Sequence, residues 1–262
     1  MKRIVALAAE KGASTWLTSI PLRSYGFRLN KQQFQDALCM RYDLSLKDVP
    51  HKCSCGADYS INHCLSCKRG GYVIIRHNAV RDTIAEVLSE VCKDVKTEPQ
   101  LLPVTGEVLP AGSNTADNAR ADVSAVGLWQ PLDRAFLDVK VFNHLAQSNA
   151  AVDLQKVYSQ HEQSKKREYN ARVLQVEKGS FTPVIFSCSG GASSEATKLL
   201  KTIALKLAVK RKESYSVTMN FLRRRLSFDL IRTCVLSFRG NRGVGSTPIE
   251  DLDIGQERME AY

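Results

Sequence analysis

The sequence contains no long hydrophobic segment. No run of 18 consecutive apolar residues occurs in its 262 residues, so it contains no candidate transmembrane helix. The apolar run near its start, Ile4 to Ala9, ends at Glu10 and is shorter than the hydrophobic region of a secretory signal peptide. The sequence therefore predicts neither a membrane span nor an export signal, and it shows no internal repeat.

Acidic residues are few relative to basic ones. The chain has 27 Asp and Glu against 37 Lys and Arg, which gives a formal net charge of +10. A strongly basic chain favours a polyanionic partner such as nucleic acid. Any one basic cluster is equally typical of a solvated helix face, but three occur here: residues 165–167, 210–212 and 223–225.

The eight cysteines lack the export signal that would suggest disulfides. Four of them lie between Cys53 and Cys67, so metal binding in a reducing, intracellular compartment is the better interpretation. Three thiolates and one imidazole suit a tetrahedral structural Zn²⁺. The predicted ligands are Cys53, Cys55, His63 and Cys67, with Cys64 as an alternative to His63.

Two predicted strands carry isolated acidic residues. Residues 119–127 contain Asp122, and residues 135–142 contain Asp138 and Lys140. Because side chains alternate along a strand, Leu137, Val139 and Val141 should face one side of the sheet, and Asp138 and Lys140 the other. If the two strands pair, both carboxylates lie on one face with an ammonium beside them.

Such a group of charges is suited to metal-dependent cleavage of a phosphodiester bond. Mg²⁺ or Mn²⁺ binds a few carboxylate oxygens and water, so Asp122 and Asp138 are the candidate ligands and Lys140 the candidate partner of the attacking water. Glu86 is either a third carboxylate ligand or a solvent-exposed helix residue.

The element pattern predicts an α/β (α+β) fold with a mixed sheet flanked by helices. The predicted segments are a helical connector (1–50), a zinc-binding loop (51–75), a core (76–212), a C-terminal helix (213–240) and a disordered tail (241–262). Within the core we predict a helix at 76–92, a first strand at about 95–104, a long helix at 150–178 and a fourth strand at 182–189.

The motifs and their order resemble a known nuclease family. An Asp on one strand and Asp-x-Lys on the next is the metal-site layout of PD-(D/E)XK, restriction-like endonucleases. The Cys and His run at 53–67, Arg76-His77-Asn78 and Gly179-Ser-Phe-Thr-Pro183 resemble the C-terminal region of non-LTR retrotransposon proteins, in which a zinc knuckle precedes such a nuclease. The resemblance covers about residues 11 to 240. Alanine rather than proline precedes Asp122.

The resemblance implies several roles. In those nucleases the functional lysine lies on the following helix, three residues before a tyrosine. Lys166 and Tyr169 match that spacing, so Lys140 and Lys166 compete for one role. Contacts to nucleic acid are expected from Arg76, His77, Lys165 and Arg167, although Arg76 to Asn78 also suit the start of a helix.

Three functions follow from these patterns. The first is a Mg²⁺- or Mn²⁺-dependent DNA endonuclease in the nucleus, which nicks target DNA or acts on an RNA–DNA hybrid. The second is an inactive nucleic-acid-binding module, and the third is a zinc-stabilised protein-interaction domain. Because the sequence has no Tyr-x-Asp-Asp polymerase signature, a reverse transcriptase would be a partner domain in a longer polyprotein.

Overall fold

A computed structural model describes residues 2–240 of the chain as helices packed around one four-stranded sheet. The predicted tail at 241–262 lies outside the described residues. The helices are α1 Lys2–Ala9, α2 Thr15–Thr18, α3 Lys31–Tyr42, α4 Ile61–Ser66, α5 Tyr72–Val91, α6 Gln147–Ala150, α7 Leu154–Arg172, α8 Ser194–Arg211 and α9 Tyr215–Arg239. The strands are β1 Lys93–Thr97, β2 Val123–Val126, β3 Arg134–Phe142 and β4 Ser180–Ser187.

The sheet is mixed and its strands follow the order of the chain. β1 pairs with β2 and β2 with β3 in antiparallel fashion, whereas β3 and β4 are parallel. A parallel pair needs a long crossover, which α7 provides. The mixed sheet flanked by helices that the sequence predicts is therefore observed.

Strand β3 shows the predicted alternation. Ala135, Leu137 and Val139 pack into the main core, which is formed with α5, α8 and α9. Phe136 faces the other way, toward Tyr169 of α7 and Phe181 of β4. Asp138 and Lys140 lie on this second face, because they alternate with the core residues.

Several helices and strands begin or end at residues other than those predicted from the sequence. Helix α5 begins at Tyr72 after Gly71, which has the positive φ of 70° that glycine adopts easily, so Arg76 to Asn78 lie inside the helix and not at its start. Strand β1 is shorter than predicted and Asp122 lies directly before β2. The long helix ends at Arg172 and continues as a π-helical turn, Val173–Glu177.

Gly179, which follows this turn, has a packing role. The left-handed residue there is Lys178, with φ of 54°. A Cβ on Gly179 would lie 2.4 Å from the Arg134 carbonyl oxygen, so the absent side chain allows β4 to start close to β3.

The N-terminal helices share a core with the cysteine-rich segment and α9. Trp16, Met40, Leu65 and Phe238 are among its buried members. Helix α3 is fixed at its start by a capping box, in which Asn30 and Gln33 each bind the other's backbone N–H. The described part of the predicted connector, residues 2–50, therefore packs onto the rest of the fold. Within residues 2–240, no helix has the length and apolar character that a membrane crossing requires.

Candidate functional site

The cysteine-rich segment brings four potential metal ligands together. The ligand atoms of Cys53, Cys55, His63 and Cys67 all lie within 4.8 Å of one another. Cys55 Sγ is 3.3 Å from His63 Nε2, and Cys67 Sγ is 3.9 Å from both other sulfurs. Four soft ligands in this arrangement can hold a metal ion such as Zn²⁺.

Local backbone structure builds this cluster. The loop after Cys53 turns back at Gly56, whose φ is +90°, and Cys53 N–H donates to the Ala57 carbonyl at 2.9 Å. The next helix, α4, is capped by Ser60, whose hydroxyl accepts from His63 N–H at 3.1 Å. The loop therefore presents two thiols, and the capped helix presents the imidazole and, at its end, the third thiol.

The fourth ligand is His63 and not Cys64. Cys64 is fully buried in the core shared with α9, whereas His63 faces the three thiols. Consecutive helix residues point about 100° apart, so only one of the two can face the cluster.

Hydrogen bonds favour the thiolate form of Cys53. Burial alone would raise the pKa of Cys53, but the Cys55 backbone N–H and side chains of the cluster outweigh it and lower that pKa to about 6. Burial raises the pKa of Cys67, although the Arg69 backbone N–H donates to its sulfur and lowers that pKa in part. N–H donors of this kind orient and stabilise a metal-bound thiolate.

The two predicted acidic residues lie side by side. The antiparallel register of β2 and β3 ends at the pair of Val123 and Leu137, and Asp122 lies directly before it. Asp122 N–H donates to the Leu137 carbonyl at 3.0 Å, and Asp122 Oδ2 accepts from Val139 N–H at 2.6 Å. Asp122 is therefore bonded on both sides of Asp138, to the backbone of Leu137 and of Val139.

Lys165 of α7 is the ammonium that contacts Asp138. Its Nζ lies 3.0 Å from Asp138 Oδ2 and 5.4 Å from the ring centre of Tyr169. Burial raises the pKa of Asp138 to about 6 in spite of the Lys165 charge, and the neighbouring Asp122 adds to the rise. For Lys165, burial alone would lower the pKa, but the Asp138 carboxylate outweighs it, so the pKa is raised.

His77 of helix α5 contacts Asp122. Its Nε2 is 3.0 Å from Asp122 Oδ1, and the side chains are 29% and 19% exposed. The hydrogen bond with Asp122 raises the pKa of His77, with a further contribution from Asp138. The acidic site is defined here as His77, Asp122, Asp138 and Lys165.

The two lysines predicted as catalytic, Lys140 and Lys166, differ in their relation to Asp138. Lys140 is half-buried on the same strand face as Asp138; burial and the Lys165 charge lower its pKa. Lys166 points toward α8, where its Nζ lies 2.5 Å from Glu195. The structure therefore brings Lys165, and not Lys166, to the acidic pair.

Two predictions are wrong because of where α5 places their side chains. Arg76 is 1% exposed and donates to the Leu65 carbonyl of α4 at 2.5 Å, so it is a core residue that nucleic acid does not reach. Glu86 pairs with Arg225 of α9 and lies nine residues after His77, which is two and a half turns and thus the opposite side of the helix. Arg167 is exposed, as a surface contact requires.

The sequence pattern offered a signal for Lys165. His161, Lys165 and Tyr169 recur every four residues, a spacing that usually marks a solvated stripe. Here that stripe faces the sheet: the His161 ring lies 4.9 Å from Phe142, and Tyr169 stacks on Phe181. His161, which we did not predict as a site residue, therefore lies on the sheet-facing side of α7.

The two groups differ in how completely they are formed. Of the side chains in residues 2–240, the Cys and His cluster is the group of three or more potential ligands close enough to hold an ion. At the acidic site, Asp138 is bound by Lys165 instead. A scan against protein-family models gives no match for the chain, and a search of curated proteins gives none either.

Proposed function

We propose that this protein is a Mg²⁺- or Mn²⁺-dependent DNA endonuclease of the PD-(D/E)XK type, stabilised by Zn²⁺. The observation that carries the proposal is the position of Asp122, which accepts from the Val139 N–H of β3 beside Asp138, together with the pairing of Asp138 with Lys165. The order helix, three strands, helix, strand, helix agrees with the restriction-like fold. The net charge of +10 suits a DNA or RNA–DNA substrate.

The donor atoms suit the proposed ion. Asp122 Oδ1 and the Asp138 carboxylate are oxygen ligands of the kind that Mg²⁺ and Mn²⁺ accept. When bound, the ion would neutralise charge on the scissile phosphate and lower the pKa of a bound water.

The protein side chains have separate tasks in this proposal. The Val139 N–H fixes the Asp122 carboxylate, so one of its oxygens is held in a single orientation. Lys165 holds a positive charge beside Asp138, where it can contact phosphate oxygen once Asp138 binds the ion. The Lys165 ammonium lies over the Tyr169 ring, and this cation–π contact favours its orientation toward Asp138.

Plasmid nicking in Mg²⁺ or Mn²⁺ tests this function. Asp138→Ala should reduce the nicking rate on the order of 100-fold or more, because one carboxylate ligand is lost. Asp117→Ala is the matched control, since Asp117 is an exposed aspartate in the loop before β2. Equal nicking by Asp138→Ala and the control would reject the site.

A non-catalytic nucleic-acid-binding module is the second candidate. The ion pair between Lys165 and Asp138 favours it, because it occupies a carboxylate that the catalytic ion would need. Wild-type protein that binds DNA at low salt but does not nick it with either cation would support this function instead.

A further inference from the structure

Helix α8 exposes aliphatic side chains in the middle of a basic surface. Leu205 and Val209 lie one turn apart on its solvent side and are 55% and 81% exposed. Together with the partly buried Val91 at the end of α5, they line an open groove of about 410 Å³, named here the α8 groove. An exposed apolar patch with a polar rim is typical of an interaction surface.

The rim of the α8 groove is positively charged. The acidic residue that lines the groove, Glu90, is already bound by Arg211 at 2.7 Å and does not neutralise the rim. Lysines lie before, beside and after the two aliphatic residues of α8: Lys198, Lys201, Lys206, Lys210 and Lys212. The groove therefore fits an occupant that carries both aliphatic side chains and carboxylates, and it repels the same groove of a second copy.

A segment of this chain has that composition. Residues 249–262, which lie outside the described residues, carry five carboxylates and one arginine, although the net charge of the whole chain is +10. Leu252 and Ile254 lie two residues apart among these acids. In a bound extended segment, side chains two residues apart project to one side with a spacing of about 6.6 Å. Side chains one turn apart on a helix are separated by about 6 Å, so the two aliphatic pairs match in spacing.

The segment is long enough to reach the groove. Thr218 Oγ1 donates to the Ala204 carbonyl at 3.0 Å, so the first turn of α9 lies beside the groove. From Thr218 to the end of α9 at Arg239 is a distance of roughly 32 Å along the helix axis. The chain between Gly240 and Leu252 spans up to roughly 40 Å when extended.

We propose that residues 249–262 bind the α8 groove of the same chain, with Leu252 and Ile254 against Leu205 and Val209 and the carboxylates on the lysine rim. The inference does not depend on the proposed nuclease function. A covalently attached segment has an effective concentration of up to about the millimolar range, so contacts of modest affinity are sufficient. Because the charges are exposed to solvent, binding should weaken as the salt concentration rises.

Carbodiimide cross-linking of the full chain, read by mass spectrometry, tests this contact. Wild type should give amide links between lysines of the groove and carboxylates of residues 249–262. Val209→Asp removes aliphatic surface and adds a like charge, so it should reduce the yield of these links at least about tenfold. Val108→Asp is the matched control, since Val108 is 90% exposed in the loop before β2.

A labelled peptide of residues 246–262 gives an independent measurement by fluorescence anisotropy. A full chain with Leu252→Ser and Ile254→Ser should bind the peptide at least about tenfold more tightly than wild type, because its own segment no longer competes. Addition of Val209→Asp to that chain should abolish the gain. Equal peptide binding by wild type and both variants would overturn the inference.

The remaining outcomes distinguish other occupants of the groove. Links confined to single copies in a mixture of isotope-labelled and unlabelled chain support the proposal, whereas links between copies would assign the groove to the segment of a second copy. Equal linking to remote lysines such as Lys156, exposed on α7, would also overturn it. If no links form and Lys206→Glu weakens binding of duplex DNA, the groove binds nucleic acid instead.

Discussion

The cysteine cluster and the acidic site differ in how the chain assembles them. The four cluster ligands come from 15 consecutive residues, Cys53 to Cys67, and their ligand atoms already lie within 4.8 Å. The acidic site takes one residue from each of four separate segments, and its Asp138 is held by Lys165. The first group could hold a metal ion as it stands, whereas a cation at the second would have to displace an internal ion pair.

The two regions are also mechanically connected. Helix α4 of the cluster is bound to α5 through Arg76 and Leu65, one residue before His77. It is bound to the end of β3 as well, because Asn143 donates to the Asn62 and Ser66 side chains at 2.8 and 2.7 Å. The cluster can therefore fix the orientation of two elements that form the acidic site.

Removal of the cluster metal should have the largest effect. The free energy of zinc binding to small Cys and His units is on the order of 10 kcal/mol and is released only in the folded state. Cys67→Ser, or chelation of wild type, should lower the melting temperature by roughly 20 °C or more and abolish nicking. Calorimetry and a plasmid assay measure both, and Cys39→Ser, a thiol outside the cluster, is the control. Full nicking by metal-free protein would show that the regions are independent.

Loss of Lys165 should rank second. Lys165→Met leaves the nearly buried Asp138 carboxylate without its cation, which should cost about 2 kcal/mol, because partial exposure of the lysine reduces the full penalty for a broken buried pair. Nicking should fall at the same time.

The neighbouring lysine provides the control for that experiment. Lys166→Met breaks a more exposed pair with Glu195 and should cost less than about 1 kcal/mol, with nicking retained. Urea titrations of both variants measure the difference. A larger loss of stability and nicking in Lys166→Met than in Lys165→Met would assign the catalytic role to Lys166.

Substitutions within α4 test whether His63 or Cys64 is the fourth ligand of the cluster. Cys64→Ala should keep the metal and cost about 1 kcal/mol for a small cavity in the core beneath α4. His63→Ala should instead lose the metal, and in the presence of chelator it should be as stable as metal-free wild type. Zinc content by atomic absorption distinguishes the two variants. Metal loss from Cys64→Ala alone would reverse the ligand assignment.

The sequence predicts the cysteine cluster more completely than the acidic site, and the reason is physical. Ligand spacing within one loop limits which side chains can meet, so Cys53, Cys55 and Cys67 follow from the sequence. Strand alternation likewise predicts the common face of Asp138 and Lys140. The contacts of Lys165 and His77 depend on how α7 and α5 rotate against the sheet, and the helix period alone leaves that rotation open. The choice between His63 and Cys64 depends on which of them the shared core buries.

The smallest expected effect concerns Glu86, which the sequence offered as a third carboxylate. Its side chain is 54% exposed and its partner Arg225 lies on α9, on the side of α5 away from the acidic site. Glu86→Gln should change the free energy of unfolding by less than about 0.5 kcal/mol, since partly exposed ion pairs contribute little. Nicking and Mn²⁺ affinity should equal those of wild type, whereas Asp122→Asn, a substitution of the same kind within the site, should lose both. A loss of metal binding in Glu86→Gln would mean that α5 turns its opposite side to the ion, and His77 would then have to leave Asp122.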